Sequence, residues 1–215
     1  MLKVSNLNFK YDEEFVLKDV SFDLYPNEIT WLQGINGSGK STLLQILANL
    51  LSANGNIEYH HKGDVIRGDR LKEHTIYIPE SPYLFDYLTG AENAIFLKNL
   101  FQISDGVFEE RFYENCKKFS LSDALKKPVK DYSLGMKYKL YLSVMFLRDA
   151  NILLLDEPFS AIDKSSLSIA VKMIEEVVRN GALLIFSSHI EEMSHSICDN
   201  IFRLNGGEVE KIQIG

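Results

Sequence analysis

The residues Gly34-Ile35-Asn36-Gly37-Ser38-Gly39-Lys40-Ser41 fit the pattern G-x-x-x-x-G-K-[ST]. Glycines at these positions let the backbone bend until successive N–H groups face a phosphate, and a helix starting just beyond adds its positive end. Lys40 is expected to reach the β- and γ-phosphates of a nucleotide, and the Ser41 hydroxyl to bind Mg2+. A second candidate is Asp156-Glu157, two carboxylates that close the apolar run Ile152-Leu153-Leu154-Leu155. At the end of a strand buried on both faces they would reach the crevice where α/β folds bind ligands. Asp156 would then serve the metal, and Glu157 would draw a proton from a water attacking the γ-phosphate. His189 follows another apolar run, Leu183 to Ser188, and the same geometry aims it at the same crevice. Taken singly, these are also the marks of a glycine turn, a solvated acidic turn and a surface histidine. Their order along one chain gives them their weight.

Such residues need elements to hold them. Leu2, Val4, Leu7 and Phe9 are spaced as one face of a strand, with an irregularity near Asn6. Val20, Phe22 and Leu24 alternate, and Pro26-Asn27-Glu28 reads as a turn before a strand at Ile29–Leu32. After the glycine loop, Leu43, Leu44, Ile46, Leu47, Leu50 and Leu51 recur at helical spacing, giving strand, loop, helix. From about Tyr83 to Ala150 the pattern is mostly helical. Strands return at Ile152–Asp156 and Ala182–Ser187, with a helix marked by Ala170, Met173, Ile174, Val177 and Val178 between them. Asn205-Gly206-Gly207 is a hairpin turn between Ile201–Leu204 and Glu208–Ile212. The expected class is α/β: a P-loop NTPase mixed-sheet core with an N-terminal antiparallel β subdomain and an inserted α-helical subdomain. The expected division is one domain over 1–215, with 1–82 and 151–215 as nucleotide-binding core and 83–150 as helical subdomain.

With 215 residues, 46% of them hydrophobic, the chain can bury a full α/β core. A net charge of −7 argues against the clustered Lys and Arg of a nucleic-acid surface, so no nucleic-acid partner is expected. Cys116 and Cys198 stand far apart, as in a reduced cytosolic protein rather than a disulfide scaffold. The N-terminal stretch has no signal-peptide character, and no segment approaches the roughly 18 apolar residues of a membrane span. Any membrane role is therefore expected to come through a partner. His60 and His61 are neighbours on a strand and would point to opposite faces, which reads as two surface residues rather than a shared ligand pair.

Beyond these residue-level readings, the sequence resembles the nucleotide-binding domain of ABC transporters over nearly its whole length. Tyr11 looks like the aromatic residue that stacks on adenine, and Gly34 to Thr42 is similar to the Walker A segment. Ile78-Pro79-Glu80 with Leu88 to Asn93 resembles the Q-loop region, and Tyr132-Ser133-Leu134-Gly135-Met136 the signature motif. Asp156 and Glu157 match Walker B and its catalytic Glu, Ser160 to Asp163 looks like the D-loop, and His189 the switch histidine. The resemblance implies ATP and Mg2+ as ligands. Gly34, Asn36, Gly37, Ser38, Gly39, Lys40, Ser41 and Thr42 would cradle the phosphates, and Ser41, Glu80 and Asp156 would hold the metal. It also implies a head-to-tail dimer with a second, identical or related ATP-binding subunit. There Ser133 and Gly135 bind the γ-phosphate of the partner's nucleotide and Asp163 couples the two sites, while Glu157, His189 and Lys40 are catalytic. The implied location is cytoplasmic, on the membrane's cytoplasmic face, through a separate transmembrane permease.

Glu80 stands where the family usually has Gln, and Tyr132, Leu134 and Met136 depart from its usual signature. Both features resemble exporter-type ATPases that work with separate permeases; the competing reading of the same departures is a weakened hydrolytic site. Tyr83, Phe85 and Tyr87 are expected in part to line the groove that receives a permease helix, and Phe108, Phe112, Tyr113 and Phe119 to be mostly subdomain core. An ABC-type ATPase acting as a switch or assembly module without a permease remains the alternative.

Overall fold

The computed structural model describes residues 1–213, and the last two residues of the expected 1–215 domain lie outside them. In chain order the strands are β1 (Leu2–Tyr11), β2 (Glu14–Leu24), β3 (Ile29–Gln33), β4 (Asn54–His61), β5 (Asp64–Ile66), β6 (Thr75–Ile78), β7 (Ile152–Leu155), β8 (Leu183–Ser187), β9 (Asn200–Asn205) and β10 (Glu208–Ile212). The helices are α1 (Lys40–Leu47), α2 (Leu71–His74), α3 (Gly90–Leu100), α4 (Asp105–Lys118), α5 (Leu134–Met145), α6 (Lys164–Arg179) and α7 (Glu191–Ile197). The backbone divides into two compact units. One comprises Met1–Pro79, Ala150–Pro158 and the chain from Val177 onward, the other Glu80–Asp149 and Phe159–Glu176.

Among the described residues, the first unit carries a four-stranded sheet in the order β2-β1-β4-β5 and a six-stranded sheet in the order β10-β9-β3-β8-β7-β6. The smaller sheet is antiparallel throughout. Its irregularity at Asn6 is a bulge: pairing shifts between Val4 and Leu7, and Asn6 adopts a left-handed φ of 51°. In the larger sheet β9, β3, β8, β7 and β6 run parallel, with β10 antiparallel on the edge. The residues of β7 and β8 are buried along their whole length, which is why their sequences are unbroken apolar runs rather than alternating ones. One core joins both sheets: Leu2, Val4, Leu17 and Tyr59 from the smaller, Leu154 and Ile185 from the larger, and Leu43, Leu44 and Leu47 of α1 between them. The β9–β10 hairpin turns through Gly206 and Gly207, both left-handed at φ 58° and 90°, as its sequence implies.

The structure corrects two expectations here. The helix after the glycine loop stops at Leu47 instead of running to Leu51. Asn49 turns left-handed (φ 55°), the Leu50 N–H donates back to the Gln45 carbonyl, and the Leu50 side chain is exposed. His60 and His61 do lie on opposite faces, but both are half-buried rather than free at the surface. His60 pairs with Glu58, whereas the ring of His61 stacks on Tyr59 and lies beside His74 of α2.

In the second unit α5 packs against α3 and α4, burying Tyr138, Leu140, Tyr141, Leu142, Val144 and Met145. The capping box at Thr89 and Glu92 starts α3, and Ser104 and Ser133 cap α4 and α5. Phe108, Phe112 and Phe119 are core, while Tyr113 is exposed, as are Tyr83, Phe85 and Tyr87. No helix among the described residues is long and apolar enough to cross a membrane.

Candidate functional site

The phosphate loop runs between β3 and α1. Gly39 precedes the first helical residue with φ 102°, a conformation that orients the helix start toward the loop and that side chains resist. The loop's glycines also answer to packing. A Cβ on Gly34 would fall 2.5 Å from Ser38 Oγ and 2.8 Å from the Leu204 carbonyl oxygen, and one on Gly39 would fall 2.6 Å from Val16 Cγ1. The loop is thus wedged between β9 and the start of β2, whose antiparallel neighbour β1 ends at Tyr11. The Tyr11 ring is half exposed and meets Phe9 edge-on at 4.8 Å. Lys40 is buried, and its ammonium donates to the carbonyls of Gly34 (2.8 Å) and Ile35 (3.3 Å). Ser38 Oγ is buried with no hydrogen-bond partner. An orphaned hydroxyl, an ammonium in the same turn and backbone bent at glycines form a donor-rich cradle, which fits a polyphosphate. Ser41 is exposed and Thr42 half-buried in the first turn of α1.

Asp156 and Glu157 leave the end of β7, both buried. Asp156 continues the sheet by donating its N–H to the Ile78 carbonyl at 2.8 Å. Glu157 is left-handed at φ 49°, unusual for a residue with a side chain and of the kind that gathers at functional sites. The Glu157 carboxylate faces His189: Oε2 accepts the His189 backbone N–H at 3.2 Å, and Oε1 lies 3.3 Å from His189 Nε2. Burial raises the carboxyl's pKa above the usual range, against the pull of His189 and Lys40 and with a further push from Asp156. The structure thereby brings Lys40, Asp156 and His189 within electrostatic reach of Glu157. Among the described residues no three His, Cys, Asp or Glu side chains converge as a ready-made metal cage. Mg2+ is ordinarily held by one or two carboxylates together with substrate phosphates, and that is the donor set Ser41 and Asp156 would complete.

Sequence reasoning missed two residues at this strand end. Ser187 closes β8; its hydroxyl donates to Asp156 Oδ1 at 2.8 Å and accepts the Glu157 N–H at 3.0 Å. Trp31 of β3 is buried, and its indole N–H donates to the Ser188 carbonyl at 3.2 Å. Its ring also meets His195 edge-on at 4.9 Å. The available signals were a serine inside an apolar strand and a tryptophan whose N–H requires a partner once buried.

In the second unit Ser133 is exposed at the cap of α5, where its Oγ accepts the Met136 N–H at 3.2 Å. Gly135 lies against the Ala161 carbonyl oxygen, which a Cβ would approach to 2.5 Å. Asp163 caps α6 by accepting from Ser165 and Ser166, and Lys139 of α5 donates to its Oδ2 at 2.5 Å. The Lys139 ammonium, with those serine donors, holds the exposed Asp163 carboxyl well below the usual carboxylate range. Tyr132 is accommodated by its surroundings: its hydroxyl donates to the Ala124 carbonyl at 2.6 Å, and Gly90 provides room that a Cβ would fill. Glu80 is exposed at the first position of this unit.

The family described as ABC transporter matches residues 17–160. The ABC-type transporter ATP-binding protein EcsA of Bacillus subtilis (strain 168) is 32% identical over 97% of this chain and 85% of its own length. The cytochrome c biogenesis ATP-binding export protein CcmA of Yersinia pestis bv. Antiqua (strain Nepal516) is 30% identical over 92% of this chain and 90% of its own. A solved ATP-binding subunit of an ABC transporter superposes with a TM-score of 0.90 at 28% identity, covering 100% of this chain and 90% of that one. The mixed α/β fold is that of the P-loop NTPase domain of this kind of protein.

Proposed function

The chain belongs to the ABC transporter family as an ATP-binding subunit, and we propose that it hydrolyses ATP to drive a separate membrane permease. The observation that carries this reading is the buried Glu157 carboxylate held against His189 beside Lys40. Lys40 binds the β- and γ-phosphates, with the loop N–H groups and Ser38 around them. Burial makes Glu157 a stronger base than a solvated carboxylate, suited to take the proton of an attacking water. His189 holds that carboxylate in place and reaches the γ-phosphate. Mg2+, held by Ser41 and Asp156, would supply charge to offset that developing on the phosphates. The metal role of Glu80 and the adenine stacking by Tyr11 rest on the resemblance to the family alone.

The functional unit we propose is a head-to-tail dimer with a second ATP-binding subunit, Ser133 and Gly135 closing on the partner's nucleotide. The support is local: Ser133 is exposed at a helix start, and Gly135 and Asp163 are tied to one another's loops through Ala161 and Lys139. For the permease the support is an aromatic patch of Tyr83, Phe85, Tyr87 and Phe96, all exposed. It is braced from beneath by Asn93, whose side chain bonds both the N–H and the carbonyl of Phe85. Such a patch suits an apolar partner segment. It would hold the subunit at the cytoplasmic face of the membrane, and the word export in the name of the Yersinia relative favours that direction.

Glu157→Gln tests the reading. Turnover of ATP is expected to fall by about 10²–10⁴-fold, the usual contribution of a general base. ATP binding should persist, with an ATP-dependent dimer visible by size exclusion. Near-normal turnover would overturn the assignment. Recovery of a soluble partner instead of a membrane protein from detergent extracts would replace the permease with an assembly role.

A further inference from the structure

Ser187 is fully buried, at 0% exposure, and none of the binding or catalytic roles above uses it. Its hydroxyl stands where β8 ends beside β7. The single proton goes to Asp156 Oδ1 at 2.8 Å, and a lone pair takes the Glu157 N–H at 3.0 Å. One oxygen atom thus joins the side chain of a proposed metal ligand to the main chain of the proposed base. The second of these is the residue in need of a tether. Glu157 has φ 49°, where the Cβ crowds its own carbonyl oxygen, and Glu lacks the short side chain by which Asn or Asp stabilises that conformation locally. Ordinary turn chemistry at this position calls for glycine.

We propose that Ser187 is a positioning residue for hydrolysis: its hydroxyl fixes the left-handed turn at Glu157 and the rotamer of Asp156 together. The Glu157 side chain is thereby delivered to His189, and the Asp156 carboxylate is presented with one oxygen already satisfied. The proposal rests on the hydrolytic reading of the site. Alanine at 187 removes donor and acceptor at once. The Glu157 N–H then loses its acceptor in a buried place, and Asp156 Oδ1 loses the Ser187 donor. Threonine keeps the hydroxyl and is at ease in a strand. Cysteine keeps approximate size but is a weak donor and acceptor.

A built-in reporter lies next door. The chain contains one tryptophan, Trp31, and its indole N–H is bonded to the carbonyl of Ser188, the residue after Ser187. Its emission therefore follows the position of this strand end without any label.

The experiment compares the full-length wild type with Ser187→Ala, Ser187→Thr and Ser187→Cys. The measurements are ATP turnover against ATP and Mg2+ concentration, binding of a fluorescent ADP analogue, and Trp31 emission. Ser187→Ala is expected to lower kcat by about 10-fold or more, the effect of losing a hydrogen bond to a charged group. The KM for ATP should stay within about 2-fold, as no contact to nucleotide is lost. Half-saturation by Mg2+ should rise, Trp31 emission should shift, and Ser187→Thr should restore most of the wild-type values. A folded alanine variant with kcat within about 2-fold of wild type would overturn the proposal, as would a loss appearing in KM alone. If the alanine variant does not fold, kcat must still follow the order Ser and Thr above Cys, and equal rates in all three overturn it. Absence of turnover in the wild type would instead sink the hydrolytic reading. The tether to Asp156 is then read from Mg2+-dependent analogue binding, which Ser187→Ala must weaken if the proposal holds and leaves unchanged if it fails.

Discussion

The phosphate loop and the acidic strand end, proposed to serve one nucleotide, are assembled on different principles. In the loop the proposed binding groups are main-chain N–H donors and a lysine, and the partners of Lys40 lie five and six residues away. At the strand end, the groups that set Asp156 and Glu157 come from 30 to 32 residues further on, at Ser187 and His189. The tryptophan whose N–H donates to the carbonyl of Ser188, between those two, comes from 157 residues earlier. A local device can form from its own sequence once a strand and a helix flank it. A non-local one depends on the register of neighbouring strands, because a one-residue slip would turn Ser187 away from Asp156.

That contrast can be tested at its strongest point with Lys40→Met. Removing the ammonium from a phosphate cradle is expected to weaken ATP binding by about 100-fold or more, the scale of a lost charge-assisted contact. If the loop is a self-contained device, Trp31 emission in the absence of nucleotide should stay as in wild type. A shift would show that loop and strand end form one network. A smaller effect is expected from Trp31→Phe, which keeps a ring against His195 but loses the N–H to the Ser188 carbonyl. Loss of one neutral hydrogen bond corresponds to about a 5-fold change. It should appear in turnover with nucleotide affinity preserved, and an affinity loss of equal size would erase the distinction drawn between the two regions.

The same distinction decides how much could be read from the sequence. The strand-loop-helix at Gly34–Lys40, the Gly206-Gly207 hairpin and the bulge near Asn6 are written in short-range spacing, and the folded chain carries each of them. Where α1 ends was not legible. Leu50 and Leu51 extend its apolar period, yet Asn49 turns the chain and leaves Leu50 in solvent. The half-burial of His60 and His61 depends on β5 and α2 covering β4, a matter of tertiary contact. Ser187 was read only as part of an apolar run, since its partners are fixed by which strands pair. The Tyr132 departure from the family pattern became intelligible only with Gly90 and Ala124 placed around it. Local chemistry is visible in composition and spacing, while support for that chemistry from other strands is visible only in the fold.

The smallest expected effect separates the role of Glu157 in chemistry from its effect on stability. Its carboxyl is raised above the ordinary 4.5, chiefly by burial, with His189 and Lys40 opposing and Asp156 assisting. Below pH 4.5 both folded and unfolded chains hold the proton, so this group contributes nothing to the balance. As pH rises past that value the unfolded chain releases its proton first, which favours unfolding. The penalty grows until the folded-state pKa is passed and is constant above it. Glu157→Gln removes the ionisation and keeps the shape, so it should melt at a higher temperature than wild type at pH 7. The advantage should shrink toward zero as pH falls to about 4.5, measured as Tm across pH 4 to 8. The phosphate loop, whose lysine is satisfied by adjacent carbonyls, should show no such stability gain on losing its charge. A lower Tm for Glu157→Gln at neutral pH would mean that the contact with His189 outweighs burial. The acidic strand end would then be a stabilising feature of the fold, and its left-handed turn would need no sacrifice of stability to explain it.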